Sequence, residues 1–249
     1  MATVNEIDVP AAAGRGTRSF FFLAMSVLLV AVVFVGFAPT YFLATAFAAP
    51  DVDLIRHVHG SLFSAWLLVL VAQAWLAYTR RMSLHRRLGS FGLALAVPIL
   101  MAGAWLMLSF ASERNGTGIE DAAYIYGTTR LFWGNVILLG SFALFVVLGG
   151  YYRRVPDHHK RFMLLATLSM VPPALGRIGN WGLFGLSQMQ LVFPSFLLLL
   201  LALPLWDLVT RGRPHRVSLF GSAWLFAAVL LAGAVLPRLE WAQAIVRAL

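Results

Sequence analysis

Seven stretches of nearly unbroken apolar sequence are separated by short polar or basic segments, at 19–37, 53–79, 88–110, 127–152, 161–176, 189–210 and 217–236. A helix rising 1.5 Å per residue needs about 20 residues to cross the hydrocarbon core. In lipid only helices and closed barrels satisfy every backbone group. The ten-residue alternation of a barrel strand is not seen in this chain. The pattern therefore predicts an all-α fold: a polytopic transmembrane bundle of seven helices. It forms a single domain over 19–249, behind a polar tail at 1–18 that reads as disordered and carries Glu6, Asp8, Arg15 and Arg18.

Four prolines, Pro98, Pro172, Pro173 and Pro204, fall inside spans. Each removes an internal hydrogen bond and bends its helix. The pair Pro172-Pro173 should break the fifth helix in its outer half. Carbonyls freed there either line a protein-enclosed or watery site or mark a simple packing kink.

Ala46-Phe47-Ala48 resembles a signal-peptidase site. The first apolar run is longer than the usual signal core of about 7–15 residues, and its leader is long and partly acidic. The expectation is a retained first helix; cleavage would leave six.

Orientation comes from Lys and Arg. Thirteen of the 19 basic residues lie in the tail and the second, fourth and sixth loops, and every basic cluster falls on that side. The positive-inside rule makes it cytoplasmic. The N-terminus is then inside, the C-terminus periplasmic, and the location a bacterial inner membrane. Composition agrees, with 60% hydrophobic and 12% charged residues, about half the charge of a soluble domain. The net charge of +9 follows membrane topology and not a nucleic-acid surface. With no cysteine, disulfides, thiolate catalysis and iron–sulfur clusters are excluded.

The three basic loops resemble one another. Each has basic residues, a short spacer, then His followed by Arg or Lys: around His85, around His158-His159, and at His215. A helical hairpin used three times after the first helix is the simplest reading. His85, His159 and His215 then converge on a metal at the cytoplasmic mouth, or each caps or packs a helix start.

The opposite leaflet gathers a second set. His59, Trp66 and Gln73 are spaced by seven and share a face of the second helix. His57, Arg130, Asn135, Arg177 and Asn180 can reach the same leaflet, with Trp133 and Trp181 as walls and Met107 approaching. Intramembrane polar residues point into the bundle. Three ligands suit an outward polar pocket here. One is haem b on His59 with its propionates on arginine. Another is a quinone or quinol held by His59 and Asn135. The third is an anion on Arg130 and Arg177. The alternative is that these groups only satisfy one another and hold helices together.

No phosphate loop, dinucleotide fingerprint, nucleophile elbow or HExxH motif occurs. Lys160, the sole lysine, lies in a loop, which excludes a retinal Schiff base in the last helix. Acids within the spans are nearly absent; Asp207 lies near a cytoplasmic end, and pairing with Arg211 or Arg213 is its simplest role.

His57-Val58-His59-Gly60, Leu84-His85-Arg86-Arg87-Leu88-Gly89 and His159-Lys160-Arg161-Phe162-Met163-Leu164 resemble a group of uncharacterised bacterial multi-pass inner-membrane proteins. The match covers helices two to five. A fainter similarity runs to b-type membrane cytochromes and to membrane factors assisting terminal-oxidase assembly. The resemblance implies an all-helical inner-membrane protein and carries over no haem ligands. The reading that results is a cofactor-binding protein in a redox or respiratory-chain context, surrounded by lipid, with a membrane-protein partner or a second copy as further company. A non-catalytic carrier, sensor or accessory subunit is the alternative.

Overall fold

The structure is a computed structural model that describes residues 20–119, 121–182 and 185–249. The tail expected at 1–18 lies outside them. Among the described residues nine α-helices run in chain order: α1 Phe20–Phe37, α2 Leu54–Tyr78, α3 Met82–Asn115, α4 Ala122–Tyr151, α5 Pro156–Ser169, α6 Pro172–Gly179, α7 Gln188–Arg211, α8 Arg216–Leu230 and α9 Glu240–Arg247. The first eight make seven segments long and apolar enough to cross a membrane, because α5 and α6 are two halves of one span. This is an integral membrane protein of seven apolar helices.

Local chemistry sets the boundaries. Asp53 and Asp121 cap α2 and α4 by accepting backbone N–H groups, and Ser187 with Gln190 forms a reciprocal capping box on α7. Pro156 opens α5 at a position where its missing N–H costs nothing. Gly212, at φ 71°, ends α7 in the left-handed conformation that glycine adopts without strain. Hydropathy alone starts the fifth span at Arg161, but the helix begins five residues earlier, so Arg161 sits inside it.

The α5–α6 span is the hub. In its most apolar window 61% of residues are buried, against 17–33% in the other six spans. It packs on α1, α4, α7 and α8, and the remaining neighbours follow as α1–α2, α2–α3, α3–α4, α4–α8 and α7–α8. The outer surface is apolar, with Val147, Leu198, Val209 and Phe220 each more than two-thirds exposed. Side chains of that kind need lipid, not water, as solvent.

Lipid gives helices no hydrophobic reason to associate, so close approach through small residues carries the packing. A Cβ on Gly36 of α1 would stand 2.5 Å from the Ala174 carbonyl oxygen of α6. One on Gly221 of α8 would stand 2.3 Å from Leu165, and one on Gly149 of α4 2.6 Å from Met163. All three glycines admit the central span.

The break predicted at Pro172-Pro173 is present. The helix stops at Ser169 and resumes at Pro172, and Val171 N donates to Leu168 O at 3.2 Å across the gap. Beyond the seventh span lies a helix the apolar pattern did not announce. α9 rests on the ends of α3 and α4, with Val246 buried against Ala111 and Phe132.

Candidate functional site

The polar groups gather at the two ends of the bundle. Along α2, from His59 at the end opposite the basic loops to Gln73 near them, the face expected to turn inward does so. Trp66 is 2% exposed and its Nε1 donates to Thr167 Oγ1 of the central span at 3.1 Å. Gln73 Nε2 donates to the His85 carbonyl at 3.0 Å. His59 lies parallel to Phe63, ring centroids 6.5 Å apart. Its Cε1 is 3.7 Å from where a Cβ on Gly103 of α3 would stand. Its Nδ1 is buried and has no hydrogen-bond partner. A buried imidazole nitrogen of that kind costs stability unless something completes it.

Among the described residues, none of the other groups expected in the pocket hydrogen-bonds to His59. His57 is exposed; its ring lies beside Tyr41 at 5.7 Å, and its carbonyl accepts from the Tyr41 hydroxyl. Asn135 and Asn180 are exposed. Arg177 lies over the Phe37 ring at 4.1 Å and donates to the Pro173 carbonyl. Arg130 is half-buried, with no side-chain hydrogen bond or ion pair among the described residues. Trp133 is not a pocket wall, because its Nε1 donates to Ala242 O of α9 at 3.2 Å and its ring meets Trp241. Met107 joins the same patch, so α9 occupies surface that the sequence left open. Trp181 is 44% exposed.

A haem makes the greater demand on the neighbours of His59. An axial ligand needs a flat slot beside its coordinating nitrogen and a counter-ligand or open position across it. Leu139 and Gly103 close on His59, with Leu139 Cδ1 3.1 Å from the Gly103 Cβ position. Met107 packs in the patch that holds Val246 of α9, and Arg177 lies over Phe37. A carbonyl head group accepting one hydrogen bond asks far less space.

The basic end is built more tightly. Arg161 is 2% exposed and Asp207 0%. The Arg161 guanidinium donates to both Asp207 carboxylate oxygens, to Ser218 Oγ at 3.0 Å and to the Asp157 carbonyl at 2.7 Å. Ser218 Oγ also donates to Asp207, and His215 N does so at 3.3 Å. One buried ion pair thus ties α5, α7 and α8 together. Asp207 is not paired with Arg211 or Arg213 as expected; Arg211 pairs with Asp157 at 3.3 Å.

The loop histidines meet in two pairs, not as a triad. His85 and His159 are 6.2 Å apart by ring centroid, and His158 and His215 4.9 Å. His85 Nδ1 bonds the Gln73 carbonyl at 3.2 Å, and His159 Nδ1 the Gly149 carbonyl at 2.8 Å. Each is the fourth residue of its helix, reaching back to the helix before it, so these two hairpins share one device. His215 departs from it: it precedes α8 as the N-cap, and its Nδ1 accepts from Val217 N at 3.1 Å. That offset carries its ring away from the other two. Among the described residues no three His, Asp or Glu side chains form a metal-holding group, which corrects the reading of His85, His159 and His215 as one metal site.

The His215 imidazole is held well below its ordinary range, at about 4. Burial is the main cause; the positive charge of Arg161 adds to it, then His158 and Arg211, while Asp207 opposes.

Two cavities border other surfaces. One, of about 330 Å³, is lined by Gly150, Tyr151, Arg153 and Arg154. The other, of about 440 Å³, is an apolar groove between α1 and α2. In comparisons with known proteins, no family model, no curated protein and no solved structure matches the chain.

Proposed function

We propose that this integral membrane protein resides in a bacterial inner membrane with its basic end in the cytoplasm. There it binds a small ligand of quinone type, in a respiratory-chain context, with His59 as hydrogen-bond donor to a ligand carbonyl. The observation that carries the reading is the buried, unpartnered Nδ1 of His59. Phe63, parallel to the ring, offers an apolar face to a flat head group. The orientation rests on the basic loops.

The second reading is an accessory or sensor subunit without a cofactor. It is favoured by how many polar groups serve only to fasten helices, above all Arg161, Asp207 and Ser218.

The test is organic extraction and mass spectrometry of purified protein, beside a visible spectrum, for wild type and His59→Phe. The proposal expects a co-purifying quinone-type molecule in wild type that is depleted in the variant. Identical extracts from the two would remove His59 as the site and leave the accessory reading. A Soret band lost in the variant would restore haem.

A further inference from the structure

The groove between α1 and α2 opens on the lipid face and is lined by Val27, Val30, Leu68, Val71, Ala72 and Trp75. On α2 these positions are spaced by three and four, so they form one stripe. They belong to the half of α2 nearest the basic loops. Polar surface is almost absent from the lining, so an aliphatic chain suits the groove and a polar ligand does not.

Three residues beyond Trp75, at Tyr78, the helix ends in an unusual way. Arg81 N donates to Leu76 O at 2.8 Å and Arg80 N to Ala77 O at 3.1 Å, the paired bonds of a Schellman ending. The residue in the left-handed position is normally glycine. Here it is Arg80, at φ 61°. A side chain with this backbone penalty is retained where the side chain itself has a use. Arg80 and Arg81 are both exposed, and neither joins an ion pair among the described residues. The Phe20–Tyr78 ring pair, 6.2 Å between centroids, marks the rim between the arginines and the groove.

We propose that an anionic phospholipid binds at this position, its phosphate on Arg80 and Arg81 and one acyl chain in the α1–α2 groove. Charge complementarity selects the head group, and the apolar lining selects the chain. Neither feature alone would distinguish a bound lipid from bulk bilayer; their succession along one helix, groove first and arginines at its end, does.

Native mass spectrometry of the full chain in detergent, with added phosphatidylglycerol or phosphatidylcholine, tests this. Arg80→Gly should cut phosphatidylglycerol retention about five-fold, the weight of one interfacial arginine, and leave phosphatidylcholine unchanged. Because glycine suits the left-handed position, its melting temperature in lipid-free detergent should not fall. Ala72→Phe, which fills the groove, should reduce retention of both lipids. Millimolar inorganic phosphate should displace neither. Unchanged retention in either variant would overturn the proposal. So would displacement by phosphate, which would reduce the site to an anion contact.

Discussion

Arg161 and Asp207 are charged, yet almost no water reaches them. Isolating either in a low-dielectric interior is costly; together, with Ser218, Asp157 O and His215 N around them, their hydrogen-bonding capacity is met. Arg161→Met should therefore lower stability by about 3–5 kcal/mol, the penalty of stranding one buried charge. Arg161→Met with Asp207→Leu should recover most of it. Thermal unfolding in detergent reads both, and a double variant no better than the single would show that the pair is not the source.

His215 gives a pH signature from the same cluster. Its folded value near 4 lies below the unfolded 6.5, so between these values the unfolded chain binds more protons and stability falls as pH drops. The contribution is complete above pH 6.5 and lost as pH falls toward 4. Geometry gives the same sign, since a protonated imidazole cannot accept from Val217 N. His215→Asn keeps a capping acceptor without a titrating ring. The melting temperature of wild type should fall relative to this variant between pH 6.5 and 4; parallel curves would assign the effect elsewhere.

These residue-scale features were unevenly legible. The spacing of His59, Trp66 and Gln73 foretold their inward face, because helical period fixes azimuth. Asp207 is visible in the sequence as an acid near the cytoplasmic end of a span. Its partner is not, because hydropathy places Arg161 at the membrane edge, whereas Pro156 is the true start of α5. Reading proline and the acidic Asp157 as a helix start would have put Arg161 one and a half turns inside.

At the level of elements, the central span is governed by glycines and by its break. Gly36 lies against backbone of α6, not against a flexible side chain, so relief requires moving a helix. Gly36→Leu should destabilise by about 1–3 kcal/mol, as overpacking does, while the same change at Gly140, which faces open space, should be nearly neutral. Equal melting temperatures for the two would contradict the α1–α6 contact. The proline break was readable because proline's missing N–H is a local fact. α9 was not: its eight residues are too short and too mixed to resemble a span. Only the fold shows that Trp133 and Asn115 bind its carbonyls, at 3.2 Å and 2.6 Å. Missing it left Trp133 as the wall of a cavity that α9 covers.

Across the whole molecule, lipid as solvent explains why the exposed surface is apolar while polar side chains meet inside. The helix count followed from that balance and needed no pair contacts. The site's assembly did need them, since the leaflet of a residue says nothing of its azimuth; Asn135 and Asn180 share the leaflet of His59 yet face outward.

The chain contains no cysteine, so single cysteines report topology without background. The decisive measurement is labelling of intact cells with a membrane-impermeant maleimide. Cysteines at Thr117, Asn180 and Arg247 should react from outside, and those at Ser83, Arg153 and Arg213 only after permeabilisation. Reaction of both sets from one side would contradict a seven-crossing bundle in the orientation proposed.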